Sequence, residues 1–401
     1  MLSAPAELSA VIACGGTGGH LFPGLAVAQA LAARDWAVTL LVSPKAVDQR
    51  AVQAAAGLPR TNVITLPAAA FQSGSRVAFL AGLVRSYRLL AKAFRAQPPA
   101  AVLAMGGFTA VAPVLAGRRF GARVYLHESN AVPGRANRFL APFAHEVFLG
   151  FAEAAPYLRC ARKTVTGTPV RPEIAPRDPA ECRTALGLDP AKPTILVMGG
   201  SQGASAINEL VFAMLPELSK TVPDVQWIHL AGPKDAARAA RIYAAASVKH
   251  VVTEFCEKMH LVLCAATLAI SRAGASALAE FAAVRLPAIL IPYPLAAGNH
   301  QLHNARVFER AGAAVVLEQT ADGSGSSELP RMLAQHVAEL VRNETVRAKM
   351  QAALAQLHKP SAASDIAAAL ATAVGAAERL EPEREVDGSV PVSRRLSVGG
   401  P

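Results

Sequence analysis

Two short apolar runs, each ending in a glycine-rich turn and a helix-prone stretch, limit what this chain can fold into. The first reads SAVIAC over 9–14, then GGTGGH over 15–20, then LFPGLAVAQALAAR. The second reads TILVM over 194–198, then GGSQGA, then a helical pattern over Ala204–Leu218. Strand, glycine turn and helix together open a doubly wound α/β domain. Glycine lacks Cβ, so the turn lets backbone approach a phosphate or sugar, and the helix start favours an anion. The same opening twice in 401 residues predicts two domains, each large enough for its own core.

Further β-prone runs follow the first turn at Val38–Val42, Asn62–Leu66, Ala101–Met105, Arg123–His127 and Glu146–Leu149. Others follow the second at Val225–Leu230, Val251–Glu254, Leu268–Ile270, Ala288–Ile291 and Ala314–Leu317. Helical stretches separate several of them, which predicts mainly parallel sheets covered on both faces. The expected divisions are a first domain over 1–170, a linker over 171–192 and a second domain over 193–345. Helices over 346–380 are expected to return in part to the first domain. Residues 381–401 lack periodicity and read as a disordered tail. Pro and Gly crowd 166–193, where helix and strand are not expected to persist.

Charge separates the halves. Residues 1–170 carry 17 Lys and Arg against 6 Asp and Glu, whereas the other 231 residues carry 23 of each sign. A basic first domain suits an anionic partner: a phosphate, an acidic membrane surface or a nucleic acid. Nucleic acid is the poorer choice, because no recognition module or aromatic-rich basic patch is present. Residues 71–95 hold Arg76, Arg85, Arg88, Lys92 and Arg95 with no acidic residue. Phe79, Leu80, Leu83, Val84, Tyr87 and Leu90 recur there at helical spacing. This is either a basic amphipathic helix lying on an anionic membrane or a packed helix with a solvated basic face. No apolar run reaches spanning length and the start of the sequence lacks a signal-peptide pattern, so a cytoplasmic protein is expected. The five cysteines have no zinc-site spacing and read as free thiols.

Gly16, Gly18 and Gly19 match the dinucleotide fingerprint only in part. The acidic residue that would take the ribose of NAD is missing, because the second strand ends TLLVSPK with Ser43 and Lys45. A Walker lysine is also missing. In the second half, Ser201, Gln202 and Gly203 suit a diphosphate. SRAGASALAEF carries Glu280 within a helix, where a carboxylate could accept from two ribose hydroxyls. After an apolar strand, Asn299, His300, Gln301 and Asn304 form a polar edge suited to sugar hydroxyls.

The ordered segments GGTGGHLFPGLAVAQAL, MGGF, HESNAVPGRANR, TGTPVR, GGSQGA, SRAGASALAE and GNHQLHNA resemble the MurG family of glycosyltransferases over about residues 9–375. The resemblance implies the two-domain GT-B fold. It also implies inverting transfer of N-acetylglucosamine from UDP-GlcNAc to the muramyl 4-hydroxyl of lipid I, giving lipid II for peptidoglycan, with no cofactor or metal. It implies a peripheral enzyme on the cytoplasmic face of the inner membrane, whose partners are an anionic membrane surface and other cell-wall synthesis proteins.

On the donor side the resemblance implies Ser201, Gln202 and Gly203 at the diphosphate, with Phe255, Cys256 and Met259 at the uracil. Ala275, Ser276 and Ala277 would lie near the diphosphate and sugar, Glu280 at the ribose, and His300 and Gln301 at the GlcNAc. Thr17, Gly18, Gly19, Asn130 and Arg171 complete the donor set. On the acceptor side it implies Gly15, Gly16, His20, Met105, Gly106, Gly107 and Phe108. His20 has a pKa suited to proton transfer and is the first choice of base. Glu128 competes for that role or orients its loop. Phe79, Leu80, Leu83, Arg85, Arg88 and Lys92 would face the membrane. The chain departs from the family pattern at Phe108, Ala110, Ser129, Ala277 and Gly298, each time losing a polar group. The remaining alternatives are another transferase of this architecture, a UDP-GlcNAc 2-epimerase and a non-catalytic cell-wall protein. The HESN and GNHQ segments argue against the first, the basic segment at 71–95 is left unexplained by the second, and an assay for lipid II and UDP separates the third.

Overall fold

The computed structural model describes residues 8–45, 57–67, 76–199, 204–319 and 328–378. Within them the first sheet comprises β1 Ser9–Ala13, β2 Ala37–Val42, β3 Thr61–Thr65, β4 Ala101–Ala104, β5 Arg123–Glu128, β6 Glu146–Leu149 and β7 Lys163–Val165. The second comprises β8 Thr194–Met198, β9 Gln226–Leu230, β10 His250–Thr253, β11 Leu268–Ser271, β12 Ala288–Leu290 and β13 Ala314–Val316. The spatial orders are β3-β2-β1-β4-β5-β6-β7 and β10-β9-β8-β11-β12-β13, and every pairing is parallel. Helices cover both faces of each sheet. The central strands β4 and β8 are therefore buried throughout, and their sequences, AVLA and TILVM, are nearly continuous in apolar residues. This is the expected pair of doubly wound domains.

Strand order reverses between β1 and β4, and again between β8 and β11. An open α/β sheet leaves its ligand crevice at such a reversal, beyond the C-terminal strand ends. The glycine turn after β1 and the MGGF segment after β4 flank the first crevice. Gly199 after β8 and the RAGAS segment after β11 flank the second.

Three local features differ from the sequence expectation. The first helix spans Gly18–Ala32, so it starts inside the glycine turn and contains Pro23. Proline has no N–H, so the Gly19 carbonyl lacks its intrahelical donor. The Ser276 hydroxyl of the second domain donates to that carbonyl at 3.0 Å. Second, the Pro- and Gly-rich stretch 166–193 contains a helix over Pro179–Ala185. Pro179 stands in its first turn, where no N–H is needed, and the Asp178 carboxylate caps it by accepting from Glu181 N at 2.9 Å. Ile174, Cys182 and Leu188 from this stretch are buried in the second domain's core. Third, β7 is a short exposed edge strand that sequence periodicity did not mark. At the other end, the helix Ala362–Glu378 packs on Gly18–Ala32, with Ile366, Ala367 and Leu370 in the same core as Leu21, Leu25 and Leu31. The expected tail at 381–401 lies outside the described residues.

Two buried histidines hold neutral positions in these cores. Asn208 Nδ2 donates to Ala231 O and Asp235 Oδ2, which leaves Asn208 Oδ1 to accept from His229 Nε2 at 2.9 Å. His229 Nδ1 then accepts from the Tyr243 hydroxyl at 3.0 Å. His127 on β5 donates from Nε2 to Gly167 O at 3.2 Å, and its Nδ1 accepts from the Ser129 hydroxyl at 3.2 Å. Burial disfavours the charged ring and lowers both pKa values from 6.5 to about 4. Below pH 6.5 the unfolded chain takes up protons that the folded chain refuses, so stability falls as pH drops from about 6.5 to about 4. Each histidine should cost about 2 kcal/mol at pH 5 relative to pH 7. Urea unfolding at pH 7, 6 and 5 checks this. A transition midpoint that does not move would overturn it.

Candidate functional site

The first crevice is built around His20. The ring lies against Gly106 and Gly107, which turn with φ of +106° and +75°. A Cβ on Gly106 would stand 3.2 Å from His20 Nε2, and one on Gly107 would stand 3.2 Å from Nδ1. Glycine is required there by both backbone conformation and space. Thr17 is extended at the start of the helix, but its hydroxyl pairs with His20 Nδ1 at 3.1 Å instead of capping the helix. Gly15 lies on the backbone of Val42 and Ser43, and its carbonyl accepts from the Thr109 hydroxyl at 2.8 Å. Phe108 lies against Gly16. Met105, Gly106, Gly107 and Phe108 are thus brought to Gly15, Gly16 and His20.

Glu128 ends β5 beside this cradle, buried. One carboxylate oxygen accepts from Asn130 N and Nδ2 at 2.9 and 3.1 Å. The other accepts from Gly134 N at 3.0 Å and Asn137 Nδ2 at 2.9 Å. Four donors, three from the loop 130–134 and one from Asn137 on the helix Arg135–Leu140, therefore converge on this carboxylate. Asn130 Oδ1 in turn accepts from Asn304 Nδ2 at 3.0 Å, and Asn304 Oδ1 accepts from Ala131 N at 2.8 Å. Asn304 belongs to the second domain, on the helix His300–Arg310. A hydrogen-bonded line thus runs from Glu128 across the cleft.

The second crevice holds a cavity of about 180 Å³ lined by both domains. Phe255, Cys256 and Met259 line it together with Ala275, Ser276, Ala277 and Glu280. Gly18, Gly19 and Phe22 close it from the first domain. The helix Ala275–Val284 begins at Gly274 without a side-chain cap, so its first amides are not covered by a capping side chain. Glu280 is one and a half turns further on. Burial raises its pKa, and Arg171 opposes that rise. The Arg171 guanidinium lies 3.5 Å from the Glu280 carboxylate and 4.4 Å over the Phe22 ring centroid. Arg171 Nε is buried without a hydrogen-bond acceptor.

Gly298 and Asn299 both have positive φ and lead into the helix that His300 and Gln301 begin. His300 Nδ1 donates to Ala297 O at 2.9 Å, and Gln301 Oε1 accepts from Tyr293 N at 3.0 Å. Ser201, Gln202 and Gly203 lie outside the described residues. Sequence reasoning passed over Phe22 and Asn137, whose types carry no distinctive chemistry. Only their position beside Arg171 and Glu128 marks them.

The helix Arg76–Ala96 divides the apolar positions read from its sequence. Leu90 and Phe94 are in the core and Phe79 and Leu83 are half-buried, whereas Val77, Leu80, Val84 and Leu89 are exposed. Arg85, Arg88 and Lys92 are exposed with them. No helix among the described residues is long and apolar enough to cross a membrane. A larger cleft, about 450 Å³, opens at the N-terminal ends of the second sheet and contains Arg177, Arg183, Arg285 and Arg347. It lies at the opposite strand ends from the two ligand crevices. Arg183 and Arg347 there are committed to the carbonyls of Ala265, Pro190, Leu340 and Val341.

Two doubly wound domains meeting at one cleft form a fold shared by solved glycosyltransferases and by a putative UDP-N-acetylglucosamine 2-epimerase of Listeria monocytogenes, so the class is decided by the sequence relationships. Residues 10–149 match the glycosyltransferase family 28 N-terminal domain, and residues 194–366 match the family 28 C-terminal domain. The UDP-N-acetylglucosamine--N-acetylmuramyl-(pentapeptide) pyrophosphoryl-undecaprenol N-acetylglucosamine transferase of Trichormus variabilis is 35% identical over 371 residues, covering 92% of this chain and 98% of the relative. The transferase of the same description from Synechococcus elongatus is 36% identical, covering 89% and 96%. The crystal structure of Acinetobacter baumannii MurG superposes with a TM-score of 0.69 at 26% identity, covering 91% of this chain and 99% of that one. The chain belongs to this family of N-acetylglucosamine transferases, the MurG family.

Because only glycine leaves room for the His20 ring, Gly106→Ala should displace the ring without unfolding the domain. The contact asks the ring to give by a few tenths of an ångström, and turnover is expected to fall by about ten-fold if the ring takes part in the reaction. Steady-state assays beside a thermal melt test this. Full turnover with an unchanged melt would show that the ring position does not matter.

Proposed function

We propose that this chain transfers N-acetylglucosamine from UDP-GlcNAc to the 4-hydroxyl of the muramyl unit of lipid I, forming lipid II with inversion at the anomeric carbon. The chain is a UDP-GlcNAc-dependent hexosyltransferase of peptidoglycan synthesis. The observation that carries the residue assignment is the convergence of the two crevices. His20 stands on one side, and the pocket of Glu280 and Ala275–Ala277 stands on the other, closed by Gly18 and Gly19.

On this reading the uridine lies against Phe255, Cys256 and Met259, and Glu280 accepts from the ribose hydroxyls. The diphosphate faces the open start of the helix Ala275–Val284, together with Ser201, Gln202 and Gly203. Those amides meet the charge that develops as UDP leaves. Arg171 serves the same end, since its Nε–H is an orphan donor beside the pocket. Asn130, His300 and Gln301 hold the sugar. The muramyl hydroxyl attacks C1 as the bond from C1 to the diphosphate breaks, and its proton passes to His20 Nε2. Thr17 holds the required tautomer by accepting from Nδ1–H. Glu128 acts as a positioning residue: four donors occupy its carboxylate, which suits it to holding Asn130 and the acceptor loop and not to taking a proton.

Incubation of the purified protein with UDP-GlcNAc and lipid I should yield lipid II and UDP in equal amounts. UDP release without lipid II would overturn the acceptor assignment. Glu280→Ala should raise the KM for UDP-GlcNAc about ten-fold or more, the cost of losing hydrogen bonds to a charged acceptor. An unchanged KM would remove Glu280 from the ribose site.

The exposed half of the helix Arg76–Ala96 supports peripheral attachment to the cytoplasmic face of the membrane. Leu80 and Val84 would enter the interface while Arg85, Arg88 and Lys92 meet anionic headgroups. Replacing Leu80 and Val84 by Ser and Arg88 by Glu together should reduce sedimentation with phosphatidylglycerol vesicles several-fold, each basic residue contributing about 1 kcal/mol. Undiminished sedimentation would make this an ordinary packed helix.

A further inference from the structure

We propose that Lys45 binds the diphosphate of the lipid-linked acceptor. The proposal rests on the acceptor reading above and adds to it a residue that neither the family resemblance nor the motif spacing singles out.

Lys45 follows the end of β2, at the strand end where a dinucleotide-binding domain carries a carboxylate for ribose hydroxyls. Here the charge at that end is reversed, and a cation in this position suits a phosphate, as it does in domains that accept a 2′-phosphate. The side chain returns over the glycine turn. Its Nζ donates to Gly16 O at 3.0 Å and lies 5.4 Å from the Phe108 ring centroid. Phe108 and Gly16 both belong to the acceptor cradle. An ammonium has three donors, and one is committed to Gly16. Lys45 is half-buried and forms no salt bridge with a described carboxylate. The aromatic face and one carbonyl offset part of its desolvation, but neither carries the negative charge that would neutralise it.

Position supplies the second argument. Phe108 also lines a small cavity with Phe79 and Leu83, two residues of the membrane-facing helix. Phe108 therefore connects Lys45 to the side of the domain that carries this helix, from which a polyprenyl chain would arrive. In lipid I the diphosphate is on C1 of the muramyl ring and the attacking hydroxyl is on C4, across the ring. Lys45 is held on Gly16 and His20 is paired with Thr17, so the cation and the base border the same glycine turn. The ammonium would fix the diphosphate end while the opposite end of the ring reaches His20.

Two measurements test this. In steady-state assays Lys45→Ala should raise the KM for lipid I about ten-fold, leave the KM for UDP-GlcNAc within about two-fold, and be largely restored by Lys45→Arg. Calorimetric titration with farnesyl diphosphate, in the presence of saturating UDP, should show the same order of affinity: wild type, then Arg, then Ala. Unchanged farnesyl diphosphate affinity in Lys45→Ala overturns the proposal, whether or not transfer occurs. A rise in KM shared equally by both substrates also overturns it. Failure of the wild-type protein to make lipid II, with Lys45-dependent diphosphate binding retained, would instead remove the reaction assigned above and leave the anion site standing.

Discussion

The side chain of Asn304 holds the cleft together. It is fully buried, and it meets Ala131 N and Asn130 Oδ1 of one domain and Ala273 O of its own. Separating the domains would strip a buried carboxamide of two partners and expose the Ala131 amide and Asn130 in turn. Each unmet group costs about 1–3 kcal/mol when it stays buried. The distance between the loop at Asn130–Ala131 and the helix His300–Arg310 is therefore set by a polar contact with defined geometry. Apolar surfaces alone would tolerate sliding. The Ser276 hydroxyl on Gly19 O and the Arg171 guanidinium on Phe22 add two more crossings at the donor pocket.

These crossings link the two halves of the reaction. Asn130 is tied on one side to Glu128, which organises residues 130–137, and on the other to Asn304, one turn along the helix that His300 and Gln301 begin. A shift of the helix His300–Arg310 is thus transmitted to the loop beside His20. Pro23 has a comparable effect at the second crossing. By withholding one N–H it leaves the Gly19 carbonyl for Ser276, so an irregularity of one helix becomes an attachment point for the other domain.

Several features of the sequence were sufficient for the fold. The apolar runs β1, β4 and β8 are buried on both faces, so their composition alone distinguishes them from half-exposed strands. The first glycine turn marks its strand-order reversal because a Cβ on Gly15 would run into the backbone of Val42 and Ser43. The short helix at Pro179–Ala185 was harder to see, since Pro and Gly crowd the stretch. Its proline is harmless only because it falls in the first turn, and that is decided by where Asp178 caps the helix. Leu80 and Leu83 illustrate a related limit. Both fit the helical period of an apolar face, but Leu83 is half-buried against the first domain and Leu80 is exposed. Periodicity identifies a face without saying what covers it.

By itself, the sequence determined two glycine turns, a basic first half and the ordered motifs of a transferase family. These follow from local rules, because a tight turn, a net charge and a motif each depend on neighbouring residues. Only the tertiary structure decided which of the polar residues meet. Glu128 reads in sequence as either a base or an organiser of its loop, and the fold gives both its oxygens to residues 130–137. Lys45 reads as the wrong residue for a dinucleotide site, yet the fold brings it onto Gly16 and Phe108. Such contacts join positions far apart in the chain, and their distances are set by sheet order and domain closure, which no local pattern records.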